Sequence, residues 1–169
     1  MNIGLTGTPG TGKTSLSKDL GFNLVSINDY YSDISNGKDS DDNWLIDLEK
    51  LNDTIDVKQY SNTIIEGHVA HFLSGLDLIV VLRCHPDKLR KRLALRNYNQ
   101  EKINENIEAE ALSIITEEAF ELYHENKVFE LDTTESDLPN SMDLLREMIN
   151  GNIKSNKRVD YSETIMSWY

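Results

Sequence analysis

The sequence predicts an α/β protein with a five-stranded parallel sheet and helices on both faces. Short apolar runs alternate along the chain with stretches of helical periodicity, the pattern of successive β-α-β units. The first apolar run leads straight into a glycine-rich turn and a second helical pattern. The chain has 169 residues, close to one domain on a prior of roughly 150 residues each and long enough to bury a core without staples. One domain over 1–169 is therefore expected.

Strands are expected near Ile3–Thr6, Leu24–Ile27, Thr63–Glu66, Leu78–Arg83 and Val128–Leu131. Helices are expected at Gly12–Leu20, where Leu16 and Leu20 recur at helical spacing, at Trp44–Val57, carrying Leu45, Leu48, Leu51 and Ile55, and at Pro86–Arg96. The longest, Asn104–Glu125, belongs to a stripe of Ile103, Ile107, Ala111, Ile114/Ile115 and Leu122 that should face the sheet. The last is Leu138–Ile149.

Two stretches depart from this rhythm. Between Asn28 and Val57 nine acidic residues stand against Lys38 and Lys50. The tail from Gly151 is basic at Lys154, Lys157 and Arg158. It ends in Asp160-Tyr161-Ser162-Glu163, similar to a capping box, before Ile165 and Trp168, which predicts a short helix docked on the core.

Composition narrows the function classes. The chain is 38% apolar and 27% charged, as in soluble globular proteins, and no apolar run approaches the ~20 residues of a membrane span. The start, Met1-Asn2-Ile3-Gly4-Leu5, has no basic region and no cleavage site after a long apolar stretch, so no secretory leader is expected. The single cysteine, Cys84, fits a reducing, cytoplasmic setting. Seventeen Lys and Arg against 29 Asp and Glu leave a net charge of −12. That balance argues against direct nucleic-acid binding and favours a basic macromolecular partner.

Gly7-Thr8-Pro9-Gly10-Thr11-Gly12-Lys13-Thr14 fits G-x-x-x-x-G-K-[ST]. Glycines let the backbone wrap phosphates without Cβ clashes, and successive N–H groups point at the anion. Lys13 would meet the β- and γ-phosphates, and the Thr14 hydroxyl is a magnesium ligand. The helix beginning near Gly12 adds its positive end.

Ligands of open parallel sheets sit beyond the carboxyl ends of the strands. Those ends read Asn28-Asp29, Glu66-Gly67-His68, Arg83 and Asp132. Glu66 stands where an acid would help hold hydrated Mg²⁺. Asp77 precedes its strand and lies at the wrong end. His68, two residues on, could orient water or a phosphate oxygen; a plain surface histidine is the other reading. Arg92 and Arg96 lie one turn apart before a break at Asn97-Tyr98-Asn99, where guanidiniums could stabilise a transferring phosphoryl group. Arg90 reads as a solvated charge.

With these residues the chain resembles the adenylate-kinase-like ATPases of archaea and eukaryotes that act in small-ribosomal-subunit assembly. The resemblance rests on the glycine-rich motif, on Glu66-Gly67-His68, and on Arg92-Leu93-Ala94-Leu95-Arg96-Asn97-Tyr98-Asn99 continuing into Lys102-Ile103, Glu105-Asn106 and Ala109-Glu110. It implies a P-loop nucleoside monophosphate kinase fold with an NMP-binding insertion near 28–57 and a lid near 97–107. ATP would be held by Gly10, Gly12, Lys13, Thr14, Ser15 and Arg96, with Mg²⁺ as cofactor. ATP–AMP phosphotransfer and ATP hydrolysis are both implied, and so is a basic partner, small-subunit ribosomal protein eleven.

The chain departs from the family where Asn97 replaces the usual glycine and where 28–57 contains no arginine. The acceptor site is therefore assigned to Asn28 and Asp29, with Arg83, Arg92 or a lysine to supply its cations, and weak AMP binding is expected. Lys13, Arg96 and His68 are the candidate catalytic residues; Thr14 and Glu66 are the candidate metal holders. Two alternatives stay open: an ATP-switched assembly factor with little kinase activity, and a small-metabolite kinase of the same fold.

Overall fold

The computed structural model describes residues 1–96, 98–135, 137–154 and 157–168. In chain order the elements are β1 (Asn2–Gly7), α1 (Lys13–Leu16), β2 (Asn23–Ser26), β3 (Ser35–Lys38), β4 (Trp44–Ile46), α2 (Leu48–Thr54), β5 (Thr63–Glu66) and β6 (Leu78–Arg83). There follow α3 (Pro86–Ala94), α4 (Gln100–Ala111), α5 (Ile114–Leu122), β7 (Val128–Asp132), α6 (Leu138–Ile149) and α7 (Ser162–Met166). The main sheet has five strands in the order β2-β5-β1-β6-β7, and every neighbouring pair is parallel. The expected α/β class and strand positions are observed.

Alternation along the strands builds two apolar layers. Ile3, Leu5, Ile64, Val80 and Leu82 face one side, with Leu16 of α1 and Leu145 and Met148 of α6. Ile65, Ile79 and Val81 face the other, with Leu51 of α2 and Ala119 of α5. A smaller cluster of Leu89, Leu93, Ile103 and Ile107 packs α3 against α4.

Three expected helices come out differently. The first is a single turn, Lys13–Leu16. The Ser17 hydroxyl donates to Thr14 O at 3.2 Å, and Asp19 adopts a left-handed φ of 59°; both compete with helical continuation. In the acidic insertion, Trp44–Ile46 pairs antiparallel with Ser35–Lys38 as a hairpin. The helix begins only after Asp47, whose side chain caps it by accepting from Glu49 N and Lys50 N. Leu45 and Leu48 remain exposed, while Leu51 and Ile55 enter the core.

The long stripe also breaks. Ser113 sits in the left-handed region, φ 57° and ψ 31°, dividing α4 from α5. Its hydroxyl accepts from Arg83 Nη2 at 2.9 Å, an interaction that favours the kink. Beyond the break the phase changes. Thr116 and Ala119 are buried, whereas Ile114 and Leu122 are exposed. Ile103 and Ile107 pack on α3 rather than on the sheet.

In the lid, α4 starts at Gln100, capped by Asn99 Oδ1 accepting from Lys102 N at 2.7 Å. Asn97, in the expected break at 97–99, lies outside the described residues. The tail forms the expected short helix and is held by buried Tyr161, but the expected cap differs: Tyr161 is the N-cap, without a side-chain cap bond, and Asp160 Oδ1 accepts from Ser162 N at 2.8 Å.

Gly67 follows β5 at a close approach. A Cβ there would stand 2.8 Å from Ile27 Cβ, in the short 3₁₀ turn Ile27–Tyr30 beside the carboxyl ends of the strands. Gly67→Ala should therefore cost about 1–3 kcal/mol by overpacking. Urea unfolding measures it, and an unchanged midpoint would mean that Ile27 yields freely.

Candidate active site

The loop between β1 and α1 crosses the carboxyl end of the sheet at its centre, where β1 lies between β5 and β6. Gly7 has φ 139°, and a Cβ on it would meet Leu82 O at 2.5 Å, so the tight exit from β1 admits glycine alone. The Lys13 ammonium folds back onto this loop and donates to Gly7 O at 2.6 Å and Thr8 O at 3.0 Å. Burial lowers its pKa to about 8 against the opposing pull of Glu66 and Glu110, and Arg96 lowers it further. At about 8 the group still carries its charge at pH 7, and a polyphosphate would stabilise that form further and replace the carbonyls as partner.

Two cavities meet at this loop. The first, about 480 Å³, lies between the loop, the 28–57 insertion and α4; Lys13, Thr14, Asn28, Glu66, His68 and Arg96 all line it. The second, about 400 Å³, lies on the other side among Gly10, Ser15, Arg92, Leu95 and Leu138. Gly10, Gly12, Ser15 and Arg96 line both. Arg96 thus stands at the junction, in the turn after α3 and not on the helix itself.

Glu66 is buried at the end of β5, its Oε1 accepting from Ser26 Oγ at 2.6 Å. His68 Nδ1 is paired with the Tyr31 hydroxyl at 2.9 Å. Burial, with the positive charge of Lys13, then His71 and Lys102, lowers the His68 pKa to about 4. Its imidazole is consequently neutral at pH 7. His71 faces inward instead, its two ring nitrogens paired at 3.0 Å with Thr6 Oγ1 and Glu118 Oε2.

Arg83 and Arg92 are corrected by the geometry. Arg83 continues the inward-facing series Ile79, Val81 and is 1% exposed. Its Nε donates to Glu110 Oε1 at 2.8 Å, and its Nη1 donates to Glu130 Oε1. Both carboxylates are buried, so this guanidinium is consumed by structure. Arg92 donates to Thr133 O at 2.7 Å and lines the second cavity, away from the insertion. Of the two strand-end residues proposed with them, Asn28 lines the first cavity, and Asp29 is not among its described lining residues.

The sequence reading missed several residues of the site. Tyr31, Trp44 and Tyr98 line the first cavity, and so do Lys102, Asn106 and Ala109. The last three follow i, i+4, i+7, one face of α4. Glu110 lies on the adjoining buried face and accepts from Thr8 Oγ1 at 2.6 Å, tying the lid helix to the phosphate loop. An acid at that phase between Ile107 and Ala111 was the available signal.

The Mg²⁺ expectation can be tested on the donor set. Thr14 and Glu66 bring a hydroxyl and a carboxylate to one cavity, and no cluster of three or more potential His, Cys, Asp or Glu ligands occurs among the described residues. That set fits an ion carried mainly by phosphates and water, the usual habit of Mg²⁺, and not a dedicated protein cage.

A parallel sheet with this loop and paired cavities defines a P-loop kinase fold. Solved structures of the same fold include shikimate kinase from Acinetobacter baumannii, with a TM-score of 0.59 at 13% identity over 89% of this chain and 93% of that one. Another is deoxyadenosine kinase from M. mycoides, with a TM-score of 0.54 at 16% identity over 89% of this chain and all of that one.

Residues 3–113 match the family model of an AAA domain. A protein of Methanocaldococcus jannaschii named "Putative adenylate kinase" is 39% identical over 96% of this chain and 94% of its own length. One of the same name from Archaeoglobus fulgidus is 40% identical over 94% and 87%. The chain belongs to this P-loop family. No helix among the described residues is long and apolar enough to cross a membrane.

His68 and His71 together predict a pH dependence of stability. Each has its pKa lowered to about 4 from the ordinary 6.5, chiefly by burial. Between those values the unfolded chain binds more protons, so stability falls as pH drops through the window and is fully present above it. Urea unfolding at pH 7 and pH 5 should show the loss. His71→Gln should flatten the slope between the two; an equal slope would place the loss elsewhere.

Proposed function

We propose that the protein is a nucleoside monophosphate kinase that transfers the γ-phosphate of ATP to AMP or another NMP and hydrolyses ATP as a side reaction. The observation that carries this reading is the pair of cavities joined at Gly10–Ser15 and Arg96. A donor nucleotide in the second cavity would reach across the loop, and an acceptor in the first would meet its terminal phosphate in line. The adenylate kinase names of the archaeal relatives support the same substrate class.

Phosphoryl transfer asks the protein chiefly for position and counter-charge. Backbone N–H groups of the loop and Lys13 hold the donor phosphates. Thr14 and Glu66 would hold Mg²⁺, which neutralises charge on the phosphates when bound. Arg96 stabilises charge developing between donor and acceptor. An AMP phosphate is already an anionic nucleophile, whereas attacking water gains from a residue that orients it. Neutral His68 is suited to that task.

A second role rests on the net charge of −12 and the family resemblance. In the cytoplasm the protein would bind basic small-subunit ribosomal protein eleven during ribosome maturation, with ATP as the switch. ATP turnover measured with each NMP and with that protein separates the roles: acceleration by an NMP supports the kinase, acceleration by the basic protein alone supports the assembly factor.

Parallel assays of ADP and free phosphate, with and without AMP, should show His68→Ala lowering hydrolysis more than transfer. Equal losses would remove the special part of the histidine. Arg96→Ala should lower kcat by up to ~10³-fold while changing ATP affinity less. A kcat within a factor of about two of the wild type would make Arg96 a surface charge only.

A further inference from the structure

We infer that Lys102 is the cation that recognises the acceptor's phosphate, and that it makes the first cavity selective for a nucleoside monophosphate over the uncharged nucleoside. The inference rests on the kinase reading above and names the residue that completes its acceptor site.

The problem it answers is one of charge. An acceptor phosphate needs a cation within the first cavity, and 28–57 holds no arginine to supply one. Lys38 is not among the described residues that line the cavity; it lies over the Trp44 ring at 4.7 Å. Lys50 is spent on Ser35 O and Asn36 Oδ1 at 3.1 and 2.8 Å. Arg83 is locked between Glu110 and Glu130, and Arg92 lines the other cavity. Among the described residues, the cations that line the first cavity are Lys13, Arg96 and Lys102. Lys13 is bound to the loop and Arg96 stands at the junction, which leaves Lys102 for the acceptor end.

Its position fits. Lys102 lies on the first turn of α4, and Asn106, one turn on, lines the same cavity. Its charge is felt on both sides of the cleft: among the weaker influences, it lowers the pKa of Asp39, at the tip of the β3–β4 hairpin, and that of His68. The ammonium's one ion pair among the described residues is with Glu105, at 2.9 Å, and both side chains are exposed by a third or more. An exposed pair of this kind is weak and readily exchanged for a phosphate. Tyr31, Trp44 and Tyr98 in the same cavity offer aromatic faces to a base.

The test is calorimetric titration of the intact protein with AMP and with adenosine. The wild type should prefer AMP. Lys102→Ala should reduce that preference by roughly 10- to 100-fold, the worth of one charged hydrogen bond, by weakening AMP and sparing adenosine. Lys102→Arg should restore it. If the wild type prefers AMP and Lys102→Ala weakens both ligands equally, or leaves their ratio intact, the assignment to Lys102 is overturned and the kinase reading stands. If the wild type binds AMP no better than adenosine, the acceptor reading itself fails and the inference with it.

Discussion

The buried carboxylate of Glu110 is the contact on which the rest of the site depends. One of its oxygens accepts from Arg83 Nε and from Cys84 N, and the other accepts from Thr8 Oγ1. Three elements meet there: the carboxyl end of β6, the lid helix α4 and the phosphate loop. Arg83 in turn binds Glu130 of β7 and donates to Val159 O at 3.2 Å, while Val159 N donates to Glu130 Oε2 at 2.7 Å. The tail is thereby fastened to the same network. Removing one member of such a cluster leaves a charge buried without a partner, worth ~3–5 kcal/mol. The network ties the loop to α4 beside the first cavity, which Thr8 and Ala109 line.

With Arg83 committed to that network, the cleft works with few charges. Burial lowers the Lys13 pKa towards the physiological range, and neighbouring acids pull it back. His68 is kept neutral by burial and by the cations around it. An anionic group that enters the first cavity meets three cations that line it, Lys13, Arg96 and Lys102.

Legibility in the sequence was uneven for identifiable reasons. Gly7–Thr14 was readable because its function requires backbone conformations that few residues adopt and a lysine at one fixed offset. The sheet was readable because β1, β5 and β6 are buried along their whole length and so carry apolar runs interrupted mainly at their ends. The Trp44–Ile46 strand was not, because Leu45, Leu48, Leu51 and Ile55 also satisfy a helical period, and only pairing with Ser35–Lys38 decides against it. The kink at Ser113 was equally hidden, since it answers to a hydrogen bond from Arg83, 30 positions away.

The sequence by itself determined the fold class, the phosphate loop, the acid that ends β5 and the direction of the net charge, all of which follow from local spacing or simple counting. Tertiary structure alone decided which cations face the cleft. Arg83 and Lys102 are both polar residues at plausible positions. A side chain's chemical role depends on which face of its strand or helix meets which partner across the fold. Arg83 met Glu110 and Glu130 in the buried interior, whereas Lys102 lines the first cavity and stays partly exposed beside Glu105.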